Sequence, residues 1–217
     1  AVMKVTFPAY ARMQADKKEL KKAVEKTLFF LGLIIFPLLV GITVLAQPLV
    51  HLIPKYGKWE IALIALYLFL VNSFWAAVTT PLMNALTAVG KIKIVFKLMV
   101  MWTVLTWIIY PILAIKYGFN GVALGAALVS FSSAIAIWLT KKYIDFKFFA
   151  PLLKPTIGCL TMGFGLLFLR NFLPLNIFNL ILLIFIGGLF YGGLVFLMVG
   201  KSLMLDVKKL FYAFKNH

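Results

Sequence analysis

The stretch IALIALYLFLVNSFWAAVTTPLMNALTAVGKIKIVFK, residues 61–97, decides the fold class. Its first 26 residues carry no charged side chain, and about 20 predominantly apolar residues let a helix cross a bilayer core. Asn72, Thr80 and Asn84 recur at steps of eight and four, so they share one face of a helix with about 3.6 residues per turn. Lipid cannot satisfy amide groups, so this face predicts a wall that borders protein or a water-filled cavity.

The composition indicates a polytopic membrane protein. Of the 217 residues, 64% are hydrophobic and only 13% are charged, whereas a soluble domain carries about 25% charged residues. The single cysteine, Cys159, gives no disulfide framework and no cysteine-based zinc site. The sequence begins at Ala1 without a signal-peptide pattern, and we expect it to be a fragment that lacks an N-terminal part.

Six apolar segments have the length of membrane-spanning helices, which predicts an all-α fold. The predicted spans cover residues 28–50, 61–86, 94–115, 119–139, 155–172 and 177–199. They predict four parts of the chain: a basic cytoplasmic or interfacial segment (1–27), four bundled helices (28–140), a trailing helix pair (141–200) and a basic cytoplasmic tail (201–217).

The placement of the cations predicts the orientation of the spans. Within residues 1–27, Leu20, Val24 and Thr27 fall at helical spacing, which predicts a short interfacial helix. If this segment is cytoplasmic, the cytoplasmic connections hold 18 of the 22 Lys and Arg residues. The positive-inside rule then places both termini in the cytoplasm, with the protein in the cytoplasmic (inner) membrane. The same rule accounts for the net charge of +16, and no soluble element is left to bind nucleic acid.

Prolines and small residues within the spans mark candidate hinges and packing faces. Proline removes a backbone hydrogen bond, so a proline inside a span predicts a hinge or a static packing bend. Glycines four residues apart let membrane helices approach closely. The candidate hinges are Pro37, Gly41 and Pro111, and the candidate packing positions are Gly121, Gly125, Gly188 and Gly192.

The sequence lacks the residues that catalysis would require. All six acidic residues lie at or outside the predicted membrane edges. Paired carboxylates, His/Cys clusters and Gly-rich phosphate loops are missing, although a membrane-embedded transferase or phosphatase needs acidic metal-binding or acid/base groups. We therefore expect no enzyme, no metal and no cofactor.

The polar residues of the spans predict a substrate cavity instead. Thr103, Thr106 and Tyr110 form a second polar stripe, on the third span. An anionic solute such as a pyrophosphate is bound by cations and amides, whereas a cationic drug requires carboxylates in the cavity. The candidate substrate-binding residues are Asn72, Thr80, Asn84, Lys93 and Lys97. The short turn after residue 86 predicts that the polar stripe meets the two lysines; for Lys97, a snorkelling anchor is the alternative.

Four pieces of the sequence resemble one known family. They are FPAYARMQADKKELKKA (residues 7–23), PLLVGITVLAQPLVHLI (37–53), PLMNALTAVGKIKI (81–94) and PILAIKYGFNGVALGAALVS (111–130). Together they resemble the C-terminal part of Wzx-type polysaccharide-export flippases, a branch of the MATE-like multidrug/oligosaccharidyl-lipid/polysaccharide superfamily. The likeness covers about residues 5–140, and the last two spans match only as hydrophobic pairs.

The resemblance implies a protein of 12 to 14 helices in two bundles, of which this chain supplies the last six. It implies alternating access that flips a polyprenyl-pyrophosphate-linked oligosaccharide across the membrane for surface polysaccharide biosynthesis. The implied partners are membrane lipid, this lipid-linked sugar, the missing N-terminal bundle, a polysaccharide polymerase and glycosyltransferases. We expect the 217 residues alone not to transport.

Two other functions remain open from the sequence. One is a related carrier of the same fold, either a cation-coupled multidrug antiporter or a lipid II-type flippase. Acidic residues in further helices would favour the antiporter. The other is a non-transporting scaffold of a polysaccharide-assembly complex, which has no need of Asn72 and Asn84 at membrane depth.

Overall fold

The computed structural model describes residues 2–53, 56–174 and 176–215, with only the backbone of residues 2–5, 56 and 201–215. The described residues form α-helices and one short 3-10 helix (Tyr56–Trp59), without a β-strand, so the all-α prediction is confirmed. The helices are α1 (Val2–Met13), α2 (Lys17–Leu52), α3 (Ala62–Ala88), α4 (Ile92–Phe131), α5 (Ser133–Tyr143), α6 (Phe149–Arg170) and α7 (Ile177–Lys215).

Among the described residues, five segments are long and apolar enough to cross a membrane: Lys17–Leu52, Ala62–Ala88, Ile92–Tyr143, Phe149–Arg170 and Ile177–Gly200. The segment Ile92–Tyr143 has 52 residues and contains both the third and the fourth predicted span. Gly118 interrupts it with φ 59° and ψ −141°, a backbone conformation that glycine adopts readily. We call residues 92–117 the first arm of α4 and residues 119–131 its second arm.

The two arms of α4 fold back on each other as an antiparallel hairpin. A Cβ added to Gly121 would overlap the carbonyl oxygen of Leu113, and one added to Gly125 would lie 3.0 Å from Cδ1 of Tyr110. Further from the bend, Trp102 Nε1 donates to Ser132 Oγ at 2.9 Å. The second arm continues into α5, so the hairpin supplies two of the six predicted spans.

The beginning of α2 differs from its predicted structure. Asp16 caps α2, with its carboxylate accepting from the backbone N–H of Lys18 at 2.7 Å and of Glu19 at 3.3 Å. The helix then runs without a break through the position where the first span was predicted to begin. Leu20 and Val24 are buried in the core, and burial of that face favours one continuous helix. The prediction of a separate short helix here is therefore wrong.

The connection between α5 and α6 is shorter than predicted. It covers residues 144–148, whereas the sequence predicted a basic loop over residues 141–154. Ile144, Phe146 and Phe148 are buried in the same core as Leu20 and Val24, and Glu25 Oε1 accepts from Lys147 N at 2.7 Å. The apolar side chains thus fold this connection against the start of α2.

Tyr10 of α1 completes this end of the core. Its side chain is 1% exposed, and burial raises the pKa of Tyr10 to about 12. The pKa shift has the direction expected for a phenol that shares a buried core with Leu20, Val24 and Phe146, because burial disfavours the charged form.

Helices α2 and α3 lie at the centre of the described structure. Helix α3 packs against the α4 hairpin, α5 and α1, while α2 packs against α3, α6 and α7. Within the described residues the α6–α7 pair packs on α2 and away from the hairpin. This pair corresponds to the predicted trailing pair, and the domain boundaries themselves stay predictions. The backbone of the predicted tail is helical to Lys215, and its side chains lie outside the described residues.

The hairpin predicts an unequal tolerance of glycine replacement. Gly121→Ala is expected to lower the free energy of unfolding by about 1–3 kcal/mol, because the added methyl group overlaps backbone and no side chain can move aside. Gly192→Ala is the matched control, since a Cβ there has no atom within 4 Å. Thermal unfolding of the purified protein in detergent measures both, and equal melting temperatures for the two variants would contradict the hairpin packing.

Candidate functional site

A polar cavity of about 340 Å³ lies between α3, the two arms of α4 and α5. It brings together Asn72 and Thr80 of the predicted α3 face with Thr106 and Tyr110 of the second predicted stripe. Thr103, the third member of that stripe, does not line it and is exposed. The complete lining is Asn72, Ala76, Thr79, Thr80, Met83, Met99, Trp102, Thr106, Tyr110, Ala126, Val129, Ser130 and Ser133, with no charged side chain.

Three of the six hydroxyl groups that line this cavity are oriented as acceptors. Thr79 Oγ1, Thr80 Oγ1 and Ser130 Oγ each donate to a carbonyl of their own helix, at 2.7, 2.8 and 2.6 Å. A hydroxyl group has one proton and two lone pairs, so these three oxygens can only accept a hydrogen bond from a ligand. The amide of Asn72 adds donors and an acceptor. The cavity therefore suits a neutral ligand with several hydroxyl donors.

The sequence missed the contribution of the fourth span to this cavity. Ser130 and Ser133 line it from the second arm and α5, and Trp102 lines it from the first arm. The small residues of the fourth span indicated only close packing, which is their commonest role. The available signal was the bend at Gly118, because a hairpin there sets Ser133 opposite Trp102.

Asn84 lies outside the cavity, although it belongs to the same predicted stripe. It is 8% exposed, and its Nδ2 donates to Thr6 Oγ1 of α1 at 2.7 Å. The amide therefore joins α3 to α1. Its predicted contact with the substrate stays a prediction, and this geometry gives it a structural hydrogen bond.

Lys93 and Lys97 are exposed at the start of the first arm. Lys97 precedes Thr106 by nine residues, which at about 100° per residue puts the two side chains on opposite faces of the helix. The structure thus does not bring the lysines together with Asn72 and Thr80. Lys91, just before them, lies 4.9 Å from the ring of Tyr143 and fixes the α3–α4 turn against α5.

The candidate hinge residues Pro37 and Gly41 line an apolar groove of about 670 Å³ between α2, α6 and α7, with a few residues of α3. Gly188 also lines this groove, and neither Gly188 nor Gly192 has an atom within 4 Å of an added Cβ. The close approach of α7 to α6 occurs instead at Gly187, where a Cβ would lie 3.1 Å from Leu166. Pro111 lies within the first arm, on its exposed side.

Comparisons with known proteins support the predicted family resemblance. Residues 1–60 match the family model described as "Polysaccharide biosynthesis protein". The chain is 29% identical over 161 residues to the lipopolysaccharide biosynthesis protein WzxC of Escherichia coli K12. It is 31% identical over 159 residues to a membrane protein in the cps region of Klebsiella pneumoniae. Each match covers 72% of this chain and 30% of the relative, so the chain spans about a third of the length of these relatives.

A solved structure shows the same fold. The lipid II flippase MurJ, in an inward closed conformation, matches 94% of this chain with a TM-score of 0.73 and 21% sequence identity. The match covers 43% of the MurJ chain. Together these comparisons confirm the predicted resemblance to polysaccharide-export flippases and the multi-pass, all-α membrane fold.

The hydrogen bond from Asn84 to Thr6 predicts that Asn84 contributes more to stability than Asn72, which lines the cavity. Asn84→Leu is expected to lower the free energy of unfolding by about 1–3 kcal/mol, because it removes the partner of a largely buried group. Asn72→Leu is the control, since Asn72 makes none of the hydrogen bonds of the described residues and is expected to change stability little. Thermal unfolding of Asn84→Leu, of Thr6→Val and of the double variant gives the coupling free energy between Asn84 and Thr6. Additive losses in the double variant would contradict a stabilising Asn84–Thr6 contact.

Proposed function

We propose that this chain is part of a transporter that flips polyprenyl-pyrophosphate-linked oligosaccharides across the cytoplasmic membrane by alternating access, for surface polysaccharide biosynthesis. The observation that carries the proposal is an uncharged, hydroxyl-lined cavity inside membrane helices whose fold matches a flippase structure. The similarity to a lipopolysaccharide biosynthesis protein supports the same substrate class. The chain takes no catalytic role in this proposal, because moving a lipid-linked sugar between leaflets breaks no covalent bond.

The sugar and the pyrophosphate of the proposed substrate contact different faces of the first arm. The cavity accepts hydrogen bonds from sugar hydroxyl groups through Thr79, Thr80 and Ser130. Lys93 and Lys97, on the opposite face, attract the pyrophosphate, whose oxygens only accept hydrogen bonds. The partners of the chain are then membrane lipid, the lipid-linked sugar and a further helix bundle, with a polymerase and glycosyltransferases as the enzymes that act before and after it.

We propose an orientation with both ends of the chain in the cytoplasm. If every span crosses the membrane, the start of α2, the α3–α4 turn and the α5–α6 connection lie on the same side. These three segments, with the helix ends that flank them, carry most of the described cations. Lys58 of the 3-10 helix and Lys116 before the α4 bend lie on the other side in this arrangement. This asymmetry is the one that the positive-inside rule expects.

A drug antiporter of the same fold is the second candidate, and the charges of the chain weigh against it. Binding of a cation inside a membrane requires a carboxylate at that depth. Asp16, Glu19 and Glu25 lie within the first nine residues of α2 or just before it, and Glu60 and Asp145 lie in connections. A scaffold is the third candidate, and it predicts that Asn72 tolerates an apolar replacement without loss of polysaccharide.

The orientation predicts opposite labelling of two engineered cysteines. Cys159 is buried and is replaced by Ala to give a cysteine-free background. Lys58→Cys is expected to react with a membrane-impermeant maleimide added to intact spheroplasts. Lys142→Cys is expected to react only after the cells are opened, since it lies at the end of α5. Labelling of both positions from the same side would refute this topology.

The pyrophosphate role predicts a large effect at Lys97. Lys97→Ala is expected to lower surface-polysaccharide display about tenfold, because a charge-assisted hydrogen bond contributes about 1.5–3 kcal/mol and ~1.4 kcal/mol is a factor of ten. Lys58→Ala, on the other side, is the control and is expected to leave display unchanged. Display is measured with each variant at the native locus, and protein levels are checked by blotting. Normal display by Lys97→Ala at normal expression would identify Lys97 as a snorkelling anchor.

A further inference from the structure

Helix α2 contains two prolines, and each leaves one backbone carbonyl without its usual donor. In an α-helix the carbonyl of residue i accepts from the N–H of residue i+4, and proline has no N–H. Pro37 therefore leaves the carbonyl of Leu33 without a backbone N–H donor, and Pro48 does the same to the carbonyl of Val44. Inside a membrane, such an acceptor must be satisfied by protein or by buried water, because lipid offers no donor.

Helix α7 supplies the donor for the first of these carbonyls. The hydroxyl of Tyr191 donates to Leu33 O at 2.9 Å. The ring of Tyr191 is 8% exposed and crosses Gly158 of α6, where an added Cβ would lie 3.2 Å from Cε2 of the ring. The small residue in α6 thus gives the tyrosine room to reach α2.

Helix α6 supplies the donor for the second carbonyl. Arg170, in the last turn of α6, donates from Nη1 to Val44 O at 3.1 Å. The guanidinium and the tyrosine hydroxyl come from different helices and from positions far apart in the sequence. Each nevertheless reaches the carbonyl four residues before a proline of α2.

Among the spanning helices of the described part of the chain, only α2 shows this pattern. Pro81, Pro111 and Pro155 also lie inside helices. None of the hydrogen bonds of the described residues runs from a side chain to residue 77, 107 or 151, the positions four residues earlier. The two donors of the α6–α7 pair are therefore both directed at the helix on which that pair packs.

We propose that Tyr191 and Arg170 are positioning residues: they replace the hydrogen bonds that Pro37 and Pro48 remove, so that the α6–α7 pair holds the shape of α2 and of the apolar groove it lines. Pro37, Leu33 and Tyr191 all belong to the wall of that groove. The α6–α7 pair thereby acts as a lock: it restrains α2, and α2 can bend further at Pro37 or Pro48 only when the hydrogen bond from Tyr191 or from Arg170 breaks. The consequence for transport rests on the proposed function, whereas the consequence for stability does not.

A double-mutant cycle tests the lock, because replacing the proline restores the missing donor. Tyr191→Phe removes only the hydroxyl and is expected to lower the melting temperature of the purified protein by about 2–4 °C, the shift for one hydrogen bond in a chain of this size. In a Pro37→Ala background the restored backbone N–H of residue 37 serves Leu33 O, so Tyr191→Phe is expected to have no further effect. Tyr67→Phe is the matched control, since the Tyr67 hydroxyl makes none of the hydrogen bonds of the described residues.

Arg170→Met with Pro48→Ala forms a second, independent cycle. The same rescue is expected there, so that failure of one proline variant to fold leaves the other cycle decisive. The proposal would be overturned if Tyr191→Phe lowered the melting temperature equally with Pro37 and with Pro37→Ala, and Arg170→Met lowered it equally with Pro48 and with Pro48→Ala.

Surface-polysaccharide display of the same variants separates this proposal from the proposed function. Tyr191→Phe is expected to reduce display severalfold at normal protein level, with recovery in the Pro37→Ala background if the hydrogen bond alone matters. Rescue of the melting temperature, with display unchanged by Tyr191→Phe at normal protein level, supports the hydrogen bonds and overturns their role in transport. A loss of display with Tyr191→Phe that Pro37→Ala does not restore overturns the lock and leaves the transport function standing.

Discussion

Every backbone carbonyl at membrane depth must have a donor inside the protein, and α2 is the helix in which this requirement is hardest to meet. Its two prolines remove two donors from a single 36-residue helix. Tyr191 and Arg170 supply donors from α7 and α6. The packing of the α6–α7 pair on α2 is therefore more than apolar contact, which in lipid provides little driving force between helices. It also places Gly158 of α6 where a larger residue would obstruct the tyrosine.

On the other side of the molecule, close backbone approach has the same organising role. Gly118 reverses the chain, and Gly121 brings the second arm of α4 against the backbone of Leu113. Because the arms are antiparallel, Trp102 and Thr106 of the first arm face Ser130 and Ser133 of the following helices. The polar cavity is thus a consequence of the hairpin, which aligns two polar faces that are more than twenty residues apart in the sequence.

The sequence predicted what depends on one helix at a time. Apolar runs identified the spanning helices, and helical spacing placed Asn72 and Thr80 on one face. In the structure both residues line the same cavity. What it did not predict depends on distant partners. Asn84 is bonded to Thr6, 78 residues away, and Glu25 accepts from Lys147, 122 residues away. The prediction of a surface helix at the basic start of α2 is wrong for the same reason, since Leu20 and Val24 share one buried core with Ile144, Phe146 and Phe148, which are distant in the sequence.

The first arm of α4 carries two different chemistries on opposite faces. One face lines a cavity without charged side chains, and the other exposes Lys93 and Lys97. A pyrophosphate in the cavity would meet no cation, and the protons of Thr79, Thr80 and Ser130 are already donated to backbone carbonyls, so it would lose hydration without gaining a charged partner. A sugar hydroxyl in the same place gains acceptors. In the proposed transporter the charge of the substrate therefore stays near the exposed lysines while the neutral sugar enters the cavity, and this separation avoids the desolvation of an anion inside the membrane.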